Sequence, residues 1–161
     1  MSLDDFKTEL NYNITDKSLD NLKKHIVKSH NLLRVSKLLL DNNELPDFYS
    51  RLYYSCYHIV KSLLYLYGFL VKSDVFIENK EISSHNVLIN FFNRYFIKNE
   101  IFDKSFSTLL KDLKEFRMVA DYDFNEFNKE KSLKDYNNVL NFVSVIKNKI
   151  DSGLKNVNSI K

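Results

Sequence analysis

The chain has 161 residues, of which 44% are hydrophobic and 28% charged, proportions typical of one folded globular domain, so wholesale disorder is excluded. Two glycines and one proline are far fewer than the turns of a β-sandwich or barrel require, so the composition predicts an all-α fold. The net charge of +3, from 24 basic and 21 acidic residues, is too small to indicate nucleic-acid binding by itself.

The first half of the chain contains two predicted helices. Residues 1–17 form an N-terminal segment with a candidate short helix at 3–10, and residues 18–157 are predicted to be one helical bundle domain. A first helix over 18–41 has an apolar stripe at helical spacing, formed by Leu19, Leu22, Ile26, Leu33 and Leu40. After the break at "DNNELPD", a second helix is predicted over 46–71, with Pro46 in its first turn.

Three more helices are predicted after an irregular connection over 73–84. The third begins near Ser84, and its inward positions are Leu88, Phe91, Phe92, Tyr95 and Phe96. A fourth covers about 105–124, and a fifth covers 131–156 with the stripe Leu133, Tyr136, Leu140, Val143, Ile146 and Ile150. Because most connections are short, consecutive helices are expected to pack antiparallel, as an up-and-down bundle of about five helices.

The second helix has a narrow polar seam on an otherwise apolar surface. A helical wheel at about 100° per residue places four polar residues in a band about 60° wide, namely Arg51, Ser55, His58 and Ser62. Such residues donate hydrogen bonds while mostly covered, so the seam favours a crevice or an interface over open solvent. The alternative is that Arg51 and His58 are ordinary polar residues at the edge of a bundle.

Two opposite charges stand within the apolar stripe of the fourth helix. Arg117 and Asp121 are one turn apart, and because an isolated buried charge is costly, we expect them to form a pair. A buried pair rarely stabilises a fold more than apolar residues of the same volume do. Its presence therefore indicates catalysis, binding or specification of helix register.

The polar seam of the second helix and the charged positions of the fourth helix could meet in space. They would then form a cluster with a defined chemistry, made of Arg51, Tyr54, His58, Arg117, Asp121 and Tyr122. A histidine transfers protons near neutral pH and an arginine holds phosphate, which together suit cleavage of RNA by its own ribose 2′-hydroxyl without a metal. His85, at a helix start, could bind an anion or take part in capping. His25 and His30, on the lysine-rich first helix, are expected at the surface.

No metal and no cofactor are predicted. The chain has no His-Glu-x-x-His motif and no glycine-rich phosphate loop, and its single cysteine, Cys56, provides neither an internal disulfide nor a thiolate zinc site. The N-terminal sequence lacks the apolar region of a secretory signal, and the longest apolar stretch, "IVKSLLYLYGFLV", is interrupted by Lys61 and too short to cross a bilayer. We therefore expect a cytoplasmic protein that does not enter membranes.

Three motifs in order make the sequence resemble the HEPN superfamily, the small helical domains named from nucleotide-binding proteins of higher eukaryotes and prokaryotes. They are "RLYYSCYH" at 51–58, "SSHNVL" at 83–88 and "RMVADYDF" at 117–124. The resemblance covers about residues 18–155 and is strongest to the compact single-domain prokaryotic branch. It implies a bundle of four to five helices that forms a homodimer, with the motif helices near the dimer cleft.

The resemblance also implies a function. Many HEPN proteins are metal-independent ribonucleases, often toxins paired with a nucleotidyltransferase antitoxin or components of anti-phage defence. Their signature is an Arg followed after four to six residues by His, which Arg51 and His58 match. By this resemblance Arg51 would hold the scissile phosphate and His58 would act as general acid or base. The supporting or binding residues would be Tyr54, His85, Arg117, Asp121 and Tyr122.

The sequence also departs from that pattern. In well-known nuclease branches the Arg/His signature lies on the later helix, which here has Arg117, Asp121 and Tyr122 but no histidine. Two functions therefore stay open, namely RNA cleavage at Arg51 and His58, or non-catalytic binding of RNA, a nucleotide or a nucleotidyltransferase partner. In a third interpretation the chain is a structural adaptor whose seam is a dimer interface.

Overall fold

The computed structural model describes residues 16–67, 84–122 and 127–160. These ranges contain five helices, namely α1 Asp16–Asp41, α2 Leu45–Leu66, α3 Ser84–Phe92, α4 Ser105–Tyr122 and α5 Lys129–Ile160. A π-helical turn, Asn93–Ile97, continues α3. The predicted all-α bundle of five helices is confirmed, and the described ranges contain no strand.

Some sequence predictions fall on other parts of the chain. The candidate helix at 3–10, the connection at 73–83 and the predicted helix ends at Val71 and Phe124 lie outside the described residues. Across the three described ranges, no helix combines the length and the apolar character needed to cross a membrane.

The second helix is the centre of the bundle. Fifteen of the 22 residues of α2 are buried, and the helix contacts each of the other four. The surface of α2 outside the polar seam is mostly buried, as its apolar character predicts, and its core residues include Leu52, Cys56, Ile59, Val60, Leu63 and Leu66. A helix that is apolar over most of its circumference needs neighbours on most sides, which explains its central place.

A tight turn pairs α1 with α2 in antiparallel orientation. The backbone at Asn43 is left-handed, with φ 61°, a conformation that asparagine tolerates better than most residues. The amide of Glu44 donates to the carbonyl oxygen of Leu39 at 2.9 Å and so ends α1. The residue numbers of the side chains that meet across the two helices add to 83 or 84, which identifies one regular antiparallel register.

The third helix runs in the same direction as α2, so the expected antiparallel packing of consecutive helices does not hold for this pair. His85 at the start of α3 contacts Tyr53 in the first half of α2, and Phe96 in the π-helical turn contacts Tyr67 just after α2 ends. The 17 residues between these two helices are long enough to return the chain to the starting end of the bundle. This direction places the start of α3 beside the middle of α2.

The inward face of α5 differs from the predicted stripe. Leu133 and Leu140, predicted to be buried, are 47% and 40% exposed. The neighbouring positions Ser132 and Val139 are fully buried instead, since Ser132 bonds to Tyr49 of α2. One residue is about 100° of helix rotation, so this contact turns both leucines outward.

Candidate functional site

The polar seam of α2 is largely covered by α1. Ser55 and Ser62 are fully buried, and their hydroxyls donate to the carbonyl oxygens of Ser29 and Leu22, each at 3.0 Å. Small hydroxyl side chains let two helices approach closely while every polar atom keeps a partner. This part of the seam is a helix–helix interface, and only residues at its edge are open to a ligand.

His58 lies at that edge and contacts a histidine of α1. Its Nδ1 atom is 2.9 Å from the Nδ1 atom of His25, and 17° separate the two ring planes. His58 is 8% exposed, His25 is half-buried, and the ring of Tyr65 stacks on His25 with centroids 5.5 Å apart. The prediction that His25 is a surface residue is wrong, because the α1–α2 pairing brings it against His58. His30 is exposed, as predicted.

His85 brings a third imidazole to the same region. Its Nδ1 atom is 2.8 Å from the hydroxyl oxygen of Tyr53, and its ring centroid is 4.7 Å from that of Tyr57. His85 is half-buried, and burial lowers its pKa, with a further contribution from the positive charge of Arg117. At neutral pH the ring is therefore uncharged and able to accept or donate a proton.

Arg117 lies against the same tyrosines. Its guanidinium carbon is 5.0 Å from the ring centroid of Tyr54 and 5.7 Å from that of Tyr53. Such cation–π contacts hold the guanidinium against the faces of the two rings. We call the group that includes His25, His58, His85, Arg117 and the rings of Tyr53, Tyr54 and Tyr57 the histidine site.

The charges around the paired histidines are positive. Burial, together with the charges of Lys61 and Lys28, lowers the pKa of His25 to about 4. Burial, together with His25, the same two lysines and His85, lowers the pKa of His58 to about 3. An anion bound beside these lysines would offset their charge and favour protonation of the imidazoles. The electrostatics of the histidine site therefore match a phosphate group.

Arg51 and His58 are not brought together within one chain. Seven residues of helix separate them by about 10 Å along the axis. Arg51 is exposed, and no hydrogen bond or ion pair joins it to another described residue. The structure instead groups His58 with Tyr54, His85 and Arg117. The side chains of Asp121 and Tyr122 lie outside what the structure describes, and so does the predicted pair of Arg117 with Asp121.

The sequence patterns missed three residues of the site, namely His25, Tyr53 and Tyr57. For His25 the signal was present, because the "DNNELPD" turn fixes which residues of α1 face which residues of α2. Ser29 faces Ser55, so the numbers of facing residues add to 84 in this antiparallel pair. His58 is therefore expected to face position 26, which is next to His25. Helical periodicity alone gives the face of each helix but not the register between them.

The arrangement could perform proton transfer next to a bound phosphate. Neutral imidazoles supply bases and hydrogen-bond donors, an arginine binds phosphate oxygens, and aromatic rings can stack on unpaired bases. Within the described ranges, no group of three or more His, Cys, Asp or Glu side chains is placed to hold a metal ion.

A concave surface lies between α4 and α5, and its charge differs from that of the histidine site. Its volume is about 550 Å³, and its charged lining residues are Asp103, Lys104, Asp112, Lys131 and Asp135. Three carboxylates against two lysines disfavour a polyanion such as RNA. The histidine site is therefore the better candidate for a phosphate ligand.

The chain matches no model of a known protein family, and it has no significant match among curated proteins. The resemblance to HEPN domains therefore depends on the three sequence motifs alone.

Proposed function

We propose that this chain acts on RNA as a metal-independent endoribonuclease of the HEPN type. The observation that supports it is the grouping of His58, His85 and Arg117, contributed by three different helices, at one surface with tyrosine rings between them. In the proposed reaction the ribose 2′-hydroxyl attacks the adjacent phosphorus. His58 acts as general acid or base, and the products are a 2′,3′-cyclic phosphate and a 5′-hydroxyl.

Two arginines are proposed to bind phosphate. Arg117 is held by the rings of Tyr53 and Tyr54, close to the histidines. Arg51 is exposed and has no ion-pair partner in the described part of the chain, so its guanidinium is available to a ligand or to a second subunit. In the homodimer that the resemblance implies, Arg51 would hold the scissile phosphate, and Asp121 and Tyr122 would support the site.

The biological setting that we propose is a toxin–antitoxin or defence system in the cytoplasm. A nucleotidyltransferase antitoxin would be the partner that restrains the nuclease. Both proposals follow from the resemblance and depend on the RNA-directed activity described above.

A non-catalytic module that binds RNA, a nucleotide or a partner protein is the second candidate. The observation that favours it is the coverage of the α2 seam, because Ser55 and Ser62 are fully buried and His58 is 8% exposed. A binding surface needs Arg117 and the tyrosines but does not need a histidine that reaches a scissile phosphate.

The test is incubation of the purified protein with total RNA and EDTA, with analysis of product ends. We expect cleavage to 2′,3′-cyclic phosphate ends, with a loss of about 100-fold or more in His58→Ala and none in His30→Ala, a control at the exposed histidine of α1. The control for Arg117→Ala is Arg94→Ala. The guanidinium of Arg94 also covers a tyrosine ring, but it lies outside the histidine site.

The RNA substrate has its own control. An oligonucleotide with 2′-O-methyl groups should bind and stay intact, because the attacking hydroxyl is absent. If the folded wild type leaves all RNA intact yet binds the methylated oligonucleotide through Arg117, the binding module replaces the nuclease as the function.

A further inference from the structure

The buried hydroxyl of Tyr53 has one hydrogen-bond partner among the described residues, and that partner is His85. The hydroxyl oxygen is 2.8 Å from Nδ1 of the imidazole. Tyr53 is fully buried, so water does not reach this hydroxyl. Because an unpaired polar hydrogen is costly in a protein interior, the contact has to use the hydrogen of the phenol.

The donor in this bond is therefore Tyr53, and the acceptor is the imidazole. Burial raises the pKa of Tyr53 above its usual value, so the phenol keeps its hydrogen at neutral pH. If Nδ1 of His85 carried a hydrogen as well, the phenol hydrogen would have no acceptor. Nδ1 consequently has no hydrogen, and the single hydrogen of the neutral ring lies on Nε2.

Positive charges keep His85 in this neutral form. Burial is the main cause of its lowered pKa, and three cations act in the same direction, namely Arg117, Lys114 and Lys61. The amine of Lys114 donates to Oδ1 of Asn86, the residue after His85 in α3. A neutral imidazole with an N–H donor, placed among cations, is suited to bind an anion without taking up a proton.

The contact with Tyr53 also orients the imidazole. Nδ1 is turned toward a fully buried hydroxyl, whereas His85 as a whole is half-buried. The exposed fraction of His85 therefore belongs to its other atoms, and Nε2 points away from Tyr53. The ring of Tyr57 lies beside the imidazole, with centroids 4.7 Å apart, and limits its rotation. The direction of the Nε2 hydrogen is thus fixed before a ligand binds.

We propose that Tyr53 is a positioning residue that holds His85 as a neutral hydrogen-bond donor, with its hydrogen on Nε2, for a non-bridging oxygen of the RNA phosphate. This inference depends on the proposed function for its ligand. It adds a buried tyrosine to the site, and it gives His85 a role different from that of His58.

The role suits the reaction proposed above. As the 2′-hydroxyl attacks phosphorus, negative charge increases on the non-bridging phosphate oxygens, and a donor that is already in place stabilises that charge. No proton leaves His85, so the imidazole is neutral before and after the step. Proton transfer is then the task of His58.

The first arm of the experiment measures the tautomer. Two-bond ¹H–¹⁵N correlation spectra of the full chain, labelled with ¹⁵N-histidine, show which nitrogen of His85 carries the hydrogen at neutral pH. We expect Nε2 alone in the wild type and a measurable fraction of Nδ1–H in Tyr53→Phe. A hydrogen on Nδ1 in the wild type, a charged ring, or an unchanged tautomer in Tyr53→Phe would overturn the inference.

Tyr49→Phe is the matched control for Tyr53→Phe. Tyr49 is also a buried tyrosine of α2, but its hydroxyl bonds to Ser132 and Asp135 of α5. The control removes the same atom from the same helix without touching an imidazole, so it should leave the tautomer of His85 unaltered. It should also retain RNA cleavage, whereas Tyr53→Phe should lose about 10-fold or more.

The second arm separates a donor from a group that transfers protons. Glutamine has an N–H donor but is neither an acid nor a base at neutral pH. We expect His85→Ala to lose about 10-fold to 100-fold in cleavage rate and His85→Gln to recover most of that loss. At His58, glutamine and alanine should be equally inactive. Equal losses in His85→Ala and His85→Gln would contradict the donor role.

Failure of this inference can be told apart from failure of the proposed function. If His85→Ala cleaves RNA like the wild type, the donor role is wrong and the nuclease function stands. If the folded wild type binds the 2′-O-methyl oligonucleotide but cleaves no RNA, the nuclease function fails. The donor role then predicts weaker binding by His85→Ala and recovery by His85→Gln, and equal binding by all three proteins would overturn it. If the wild type neither binds nor cleaves RNA, both proposals fail.

Discussion

Ser29 and Ser55 exchange hydrogen bonds across the interface of α1 and α2. The hydroxyl of Ser29 donates to the carbonyl oxygen of Ser55 at 2.8 Å. In return, the hydroxyl of Ser55 donates to the carbonyl oxygen of Ser29 at 3.0 Å. One helical turn away from Ser29, the same register places His25 against His58. The histidine pair therefore depends on two small residues that leave room for close helix packing.

Enlarging Ser29 should separate these helices. We expect Ser29→Val to destabilise the protein by about 1–3 kcal/mol through overpacking, and Ser29→Ala by about 1 kcal/mol or less through loss of one hydrogen bond. The measurement is urea unfolding followed by circular dichroism. Asn31→Val at an exposed position of α1 controls for the lower helix propensity of valine. Equal effects of the valine and alanine variants at Ser29 would contradict close packing at this position.

Stability should decrease as the pH falls below neutrality. Unfolded histidine has a pKa of about 6.5, while the folded-state pKa values of His25 and His58 are about 4 and about 3. Between these values the unfolded chain binds more protons, so acidification favours unfolding. The contribution of the pair is therefore complete above pH 6.5 and decreases as the pH falls toward 4.

Thermal unfolding at pH 7.0, 5.5 and 4.5 measures this effect. The decrease in Tm should be smaller in His25→Asn, which removes one titrating group, than in the wild type. His30→Asn removes an exposed histidine and should keep the full decrease. The explanation is wrong if the two asparagine variants lose the same Tm over this range.

Tyr49→Phe should destabilise the contact between α2 and α5. The buried hydroxyl of Tyr49 donates to Oδ2 of Asp135 at 2.7 Å and is 3.1 Å from Oγ of Ser132. Removing it leaves Asp135 and Ser132 with one partner fewer, at a cost of about 1–2 kcal/mol. Tyr136→Phe is the matched control on α5, since no hydrogen bond joins the Tyr136 hydroxyl to another described residue. A change in unfolding free energy as small as that of the control would contradict a stabilising role.

Arg117→Gln should raise the pKa of His85. After burial, the positive charge of Arg117 is the largest influence that lowers this pKa, and the substitution removes that charge. An NMR titration of His85 measures the change, which should be upward. Arg94→Gln, which removes a guanidinium beside Tyr95 instead, should leave the titration of His85 unaltered. A downward shift in Arg117→Gln would show that the two side chains are not electrostatic neighbours.

The core of α2 could be predicted more accurately than the face of α5. In α2 the apolar residues fill most of the circumference, so a small error in helix rotation leaves the core positions unchanged. In α5 the apolar residues are mixed with polar ones all round. The predicted stripe correctly included Val143, Ile146 and Ile150, which are buried. It wrongly included Leu133 and Leu140, which are exposed.

Sequence alone determined the helices, because their signals are local. Composition, helical spacing and the Asn-rich turn before Pro46 predict where α1 ends and α2 begins. The polar seam, with His58 within it, is likewise a property of one helix. The structure confirms the five-helix bundle that these local signals predict.

The composition of the histidine site was decided only by tertiary structure. His25 is 33 residues from His58 in the chain and meets it through the register of two helices, which depends on the buried serines between them. His85 reaches Tyr53 because α3 runs in the same direction as α2. Helical periodicity encodes the direction in which a side chain points from its own helix, whereas a contact between helices also needs the register and direction of the pair.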